Sequence, residues 1–324
     1  MHPVSKAEAV SAVQRSGPAA LTRRGKGGMR RAEALAGMLC VAPWALGFLL
    51  FTGGPMLFSL VLSFTRWNLL SPPKWVGLSN FQTLFVKDPL VWHSLLVTTL
   101  YAVLAVPLAV ALGLLLAVLL NQRIRFLSFF RMLFYLPSVV SGVPVALLWS
   151  WIFSPNVGLL DGLLGLVGIR GPAWLFDPHT VIIAFVIMSL WGVGGSMVIY
   201  LASLQGIPPH LLEAATIDGA SAWRRLVHIT VPLLTPIIFF NLVTGIIGAL
   251  QMFVPAYVMT QGGPNNASLM FMLYLFENAF QYFRMGYASA LAWVLFLYVA
   301  VLTFLLFRFS GRWVYYEGML KSDN

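Results

Sequence analysis

The sequence predicts an all-α polytopic membrane protein with six transmembrane helices, and three observations carry that reading. Of its 324 residues, 59% are hydrophobic and only 9% charged, with a mean hydropathy of +0.85; soluble domains carry about a quarter charged residues. Uncharged apolar stretches recur, each long enough at about 1.5 Å per residue to cross a hydrocarbon core of roughly 30 Å. The basic residues, finally, collect on one side of the alternating topology that these stretches define.

Spans are expected near residues 37–64, 92–120, 132–154, 180–203, 230–256 and 288–307. With the amino terminus inside, 15 of the 20 Lys and Arg residues fall in cytoplasmic segments, and only Arg66, Lys74, Lys87, Arg170 and Arg284 face the exterior. The positive-inside rule therefore accounts for the net charge of +10 without a nucleic-acid partner and puts both termini in the cytoplasm. Residues 1–31 read as a basic cytoplasmic tail, 32–91 as the first helix with its exterior connection, 92–309 as a five-helix core, and 310–324 as a second cytoplasmic tail. The first apolar run is too long for a signal-peptide core, so it reads as an uncleaved helix. Its lone Cys40 excludes a disulfide framework and reads as a small buried apolar residue.

Within span one, Pro43, Gly53, Gly54 and Pro55 are expected to bend or end the helix. An exterior connection follows with Ser71, Pro72, Pro73 and Lys74, and a short basic turn, Asn121 to Arg131, joins spans two and three. Asp161, Gly162, Gly171, Pro172 and Asp177 mark the next exterior stretch. The connection after span four, residues 205–228, itself reads as helix, turn, helix. Pro208 and Pro209 suit a first turn, Leu211, Leu212, Ala215 and Ile217 give an apolar face, Gly219 suits a left-handed cap, and a second short helix starts near Ser221. Pro232 is expected to open span five. The last exterior loop holds the turn signal TQGGPNNAS, residues 260–268, followed by an apolar segment that either lies along the membrane surface or dips into the protein.

Catalytic chemistry is not visible. All ten acidic residues and all five histidines sit at span edges or in loops, so neither a carboxylate pair nor a serine and histidine dyad assembles at membrane depth. Gly194, Gly195 and Ser196 read as small-residue helix packing. The absence of ionisable residues within the spans argues against a proton- or sodium-driven carrier, and no phosphate-binding loop with its lysine occurs, so the energy source is another chain.

Glu213, Ala214 and Ala215, with Gly219, Ile229 and Pro232 at fixed spacing, resemble the EAA loop of permeases in binding-protein-dependent ABC importers, with Val231 in place of the usual leucine. The fuller string EAATIDGASAWRRLVHITVPLL, which includes Asp218, is similar to the sugar-importing branch of maltose-type and glycerol-phosphate-type permeases. TQGGPNNAS, MGYASA at 285–290 and RWVYYEG at 312–318 are similar to the same branch. The resemblance implies a type I importer permease fold in the bacterial inner membrane, with residues 205–228 as a cytoplasmic coupling element. It also implies a second permease, making a heterodimer within the lipid bilayer, two ATP-binding subunits that hold ATP and magnesium, and an exterior solute-binding protein. This subunit binds no cofactor on that reading, and its cargo is a sugar or polyol. Glu213 either touches the ATPase or supports its own helix start through the helix dipole.

Small and polar residues recur at helical spacing in span four, at Ser189, Gly192, Ser196 and Ser203, and in span five, at Asn241, Thr244, Gly245, Gly248, Gln251, Met252 and Pro255. Either stripe serves helix packing or the solute path. Asn241 and Gln251 are the stronger solute contacts, because a buried amide needs partners and sugar hydroxyls supply them. The resemblance adds Gly192, Gly195 and Met252 as cavity positions, while Phe253, Tyr257 and Trp191 either stack on a sugar ring or pack. An amino-acid, peptide or phosphate importer shares the loop but not the sugar-branch strings; an intramembrane enzyme or a scaffold is the reading from another class.

Overall fold

A computed structural model describes residues 26–122, 125–140, 142–311 and 313–315. Most of the tail predicted over residues 1–31, Arg123, Arg312 and the end of the RWVYYEG string lie outside the described residues. The chain divides into two compact units, residues 1–58 and 59–324.

The first unit is helical. Helix α1 (Lys26–Phe48) runs straight through Pro43, and a π-helical turn (Leu49–Gly53) leads into α2 (Gly54–Ser63). The expected break is therefore absorbed: the widened turn takes up the missing donor of Pro55 and the span continues over Glu33–Ser63.

In the second unit, a two-residue pair of strands, β1 (Thr65–Arg66) and β2 (Lys74–Trp75), pairs antiparallel with Arg66 opposite Lys74. Then come α3 (Ser79–Gln82) and α4 (Pro89–Leu120), which Asp88 caps by accepting the Leu90 amide at 3.1 Å, with Pro89 in the first turn. Span three is broken. Helices α5 (Leu127–Val139) and α6 (Val143–Ile152) meet at 107° around Gly142, whose φ is +79°. After α7 (Leu159–Leu166), span four bends by 47° between α8 (Val181–Trp191) and α9 (Gly194–Gln205). Gly194 allows that bend to approach α5, since an added Cβ there would run into the Phe134 carbonyl oxygen. Its packing role matches the sequence expectation.

Helix α10 (Pro209–Ile217) and α11 (Ala222–Arg225) form the loop after span four. A π-helical turn (Leu226–Thr230) joins α11 to α12 (Val231–Leu250), so one span runs unbroken over Ala222–Leu250. Pro232 consequently does not open span five; the preceding π-helical turn accommodates the missing donor inside a continuous helix. The segment after residue 268 dips inward: α13 (Phe271–Phe276) buries Phe271 and Leu273 in the main core with Val91, Phe185 and Leu291. Helix α14 (Met285–Ser310) closes the fold. Leu96, Val103, Phe296 and Phe304 stay exposed on the outer faces of the spans, as lipid requires.

The inner segment is tied in through one carboxylate. Asp88 Oδ2 accepts the hydroxyls of Tyr274 at 2.5 Å and Tyr287 at 2.6 Å, joining α4, α13 and α14. Burial, reinforced by the hydrogen bond to Asp88, pushes the Tyr274 hydroxyl above its ordinary range and keeps it a donor. Hydrogen bonds to a charged acceptor contribute about 1.5–3 kcal/mol. Asp88→Ala should therefore lower the thermal midpoint of the purified chain by several degrees, and an unchanged midpoint would remove this tie from the account.

Candidate functional site

The candidates in the loop after span four form one compact element. Ala220 donates its amide to the Ala215 carbonyl at 2.9 Å and Gly219 donates to Thr216 at 3.1 Å, with Gly219 at φ +76°. That pair of bonds is a Schellman cap, which closes α10 and turns the chain sharply. Ser221 then caps α11 by accepting the Arg224 amide at 3.3 Å, and the Arg225 guanidinium donates to the Thr216 hydroxyl. Glu213, Ala214 and Asp218 are exposed, whereas Ala215 and Ile229 are half-buried. Ile217 is 87% and Trp223 73% exposed, a pair of large apolar side chains on a loop that otherwise carries charge. Because α11 continues into span five, the second arm of the loop and the Asn241 face of α12 lie on one helical rod, roughly 30 Å apart at 1.5 Å per residue.

A cavity of about 710 Å3 lies among α4, α5, α6, α8, α9 and α12. Ser189, Gly192, Ser196, Asn241, Thr244, Gly248, Met252 and Phe253 all line it. Gly195 and Gln251 do not. Gly195 turns toward Ser138 in the first turn of α9, and Gln251 is the exposed residue that ends α12, beyond the face that carries Asn241. Trp191 lines the cavity and meets Trp149 edge to face at 6.0 Å, while Phe253 stacks on Tyr257 at 5.3 Å. Tyr101, Ala105 and Ala109 from α4, and Pro137 and Ser138 from α5, were not anticipated. The four-residue spacing of Tyr101, Ala105 and Ala109 was the available signal, whereas Ser138 reaches the cavity only through the break at Gly142.

Four hydroxyls around this cavity share one property. Ser138, Ser189, Ser196 and Thr244 each donate their hydroxyl proton to a carbonyl of their own helix, at 2.7, 2.7, 2.8 and 2.8 Å. Their oxygens keep accepting capacity and no free proton. Asn241 donates one amide proton to Ile237 at 2.9 Å, and its side-chain oxygen accepts none within the described residues. No charged residue is in the lining. The wall thus offers a solute rich in hydroxyls uncharged acceptors, together with the Tyr101 hydroxyl, the Trp191 indole and the second amide proton of Asn241, and offers an ion no counter-charge.

The chain belongs to the family of binding-protein-dependent transport system inner membrane components, whose family model matches residues 109–314. It is 46% identical over 292 residues to the probable ABC transporter permease protein YesP of Bacillus subtilis (strain 168), across 89% of this chain and 94% of that one. It is 37% identical over 279 residues to the lactose transport system permease protein LacF of Rhizobium radiobacter, across 84% of this chain and 92% of that one. Its fold is similar to a chain in the crystal structure of a bacterial ABC transporter involved in the import of the acidic polysaccharide alginate. That match has a TM-score of 0.74 and 24% identity, and covers 88% of this chain and 97% of the other. The protein is a multi-pass membrane component of a transport system, and its described residues hold four unbroken apolar spans and two bent helix pairs that bring the number to six when each pair is one span.

Proposed function

We propose that this chain forms half of the translocation pathway of an ATP-driven importer for a neutral sugar or polyol, working with a second permease, two ATPase subunits and an exterior solute-binding protein. The observation that carries the cargo assignment is the uncharged polar wall of the cavity at Ser138, Ser189, Ser196 and Thr244, with Asn241 beside them. An amino acid or phosphate would bring charge into a wall that holds no charged residue, and burying such a charge without a partner is strongly unfavourable. The lactose permease relative supports the same class.

Residues 205–228 then face the cytoplasm and seat in a cleft of the ATPase. Glu213, Ala214, Ala215, Asp218 and Gly219 shape the docking face, Ile217 and Trp223 supply its apolar contacts, and Ile229 and Pro232 lie on the rod behind it. ATP and magnesium are held by the partner, and this chain contributes geometry and solute contacts. When the ATPases close, the loop moves as one body and the rod carries the displacement to Asn241, Gly248 and Met252.

The test is a solute panel on the reconstituted transporter. Neutral sugars or polyols should stimulate ATP hydrolysis, and Asn241→Leu should raise the concentration needed for half-stimulation by about tenfold, the loss of one buried hydrogen bond. Stimulation by amino acids or phosphate, with none by sugars, would replace the cargo assignment.

A further inference from the structure

A second cavity, of about 530 Å3, shares no residue with the first, and its lining brings together Arg66, Lys74 and Arg284. Three of the five cations read as exterior therefore converge on one place. Arg66 and Lys74 are cross-strand partners in the β1–β2 pair, and Arg284 directly precedes α14. Among the described residues no carboxylate pairs with any of the three. Asp88 also lines the cavity, where its oxygens accept the Leu90 amide and the two tyrosine hydroxyls and pair with none of the three cations, so the lining sets three positive charges against one negative.

The level of the cavity identifies the anion. Arg66 follows the apolar span that ends at Ser63, Asp88 precedes the one that begins at Pro89, and Arg284 precedes the one that begins at Met285. All three span ends meet there, so the cavity sits at the membrane–water boundary rather than above it. Aromatic side chains belong at that depth, and Trp67, Tyr282, Phe283 and Tyr287 supply them. Leu70, beside the cavity, is 89% exposed and suits acyl chain rather than water. Leu69 at φ +65° and Phe283 at φ +52° hold left-handed backbone that bulky residues rarely adopt. Strained positions of this kind mark places where surrounding structure fixes a binding geometry.

We propose that this cavity binds the phosphate of an anionic phospholipid headgroup, with Arg66, Lys74 and Arg284 as the cation cradle and the hydroxyls of Ser71, Ser79 and Thr83 directed to the headgroup glycerol. The proposal rests on the spans alone and not on the cargo or the ATPase. A cation near an anionic bilayer surface contributes about 1 kcal/mol, roughly fivefold in affinity. Native mass spectrometry of the full-length chain in detergent, with phosphatidylglycerol or phosphatidylcholine added, reads the site directly.

Wild-type protein should retain phosphatidylglycerol well above phosphatidylcholine, and Arg66→Gln/Arg284→Gln should lower that retention on the order of twenty-fold. The paired lysine replacements should restore most of it, and millimolar inorganic phosphate should leave the lipid in place. If the double glutamine variant does not fold, Lys74→Gln alone should show roughly a fivefold loss. Equal retention of the two lipids, or retention indifferent to these variants, overturns the proposal. Displacement by inorganic phosphate would make this a free-anion site. Weakened docking of the exterior binding protein with unchanged lipid would make it a protein contact.

Discussion

Gly219→Pro is expected to reduce solute uptake to near background while the chain still inserts in the membrane. Proline holds φ near −65°, and Gly219 stands at +76°, so the substitution reverses the turn between α10 and α11. It also deletes the amide that donates to Thr216, half of the Schellman cap. The combined local cost is about 3 kcal/mol or more, concentrated in a loop with no part in the membrane core. Insertion should therefore change little and any fall in the thermal midpoint should be limited to several degrees, whereas stimulation of ATP hydrolysis by solute should be lost. Gly219→Asn is the matching control, since asparagine visits the left-handed region, and it should keep most of the activity. Normal solute-stimulated hydrolysis in the proline variant would remove the docking role from this loop.

Gly248→Phe is the second large effect. An added Cβ at Gly248 has no heavy atom within 4 Å, so the phenyl ring extends into the cavity of about 710 Å3. Uptake should fall to background with the protein fully folded. The neighbouring Gly245→Phe should behave differently: its Cβ would lie 3.0 Å from Val106 Cγ1 on α4, so the ring pries two helices apart and destabilises the fold. Uptake lost in both variants, with thermal stability lost only in the second, separates a plugged pathway from a broken bundle. If Gly248→Phe transports normally, the solute does not pass this cavity.

Much of this organisation was legible in the residues because it follows from local chemistry. Gly219 and Ser221 announce the cap and the restart of the loop, since few residues serve a left-handed turn or accept an N-terminal amide. Apolar length gave the spans. The places where the reading failed are those where tertiary context overrides local preference. Pro55 and Pro232 suggested helix ends, yet adjoining π-helical turns carry each helix onward, and Pro43 stands inside α1. Gly142, with Pro144 in the first turn of α6, marks the break in span three, but an apolar run over residues 132–154 hides it, so Ser138 was not placed at the cavity. Gln251 shares the helical spacing of Asn241 and Gly248, but periodicity assumes the helix continues, and it ends there. Burial of the segment from Leu269 to Leu273 depends on packing against α4 and α14, which no local pattern encodes.

The central claim, that the loop between spans four and five meets an ATPase in the cytoplasm, has a direct test in Ile217→Cys on a Cys40→Ser background. The wild-type chain has a single cysteine, so the new thiol would be its only one, and Ile217 is 87% exposed. In intact cells the thiol should resist a membrane-impermeant maleimide, and in inverted vesicles it should crosslink to the ATPase subunit, less so when ATP is withheld. Labelling from outside intact cells, or crosslinking only to lipid and to the chain itself, would contradict the account.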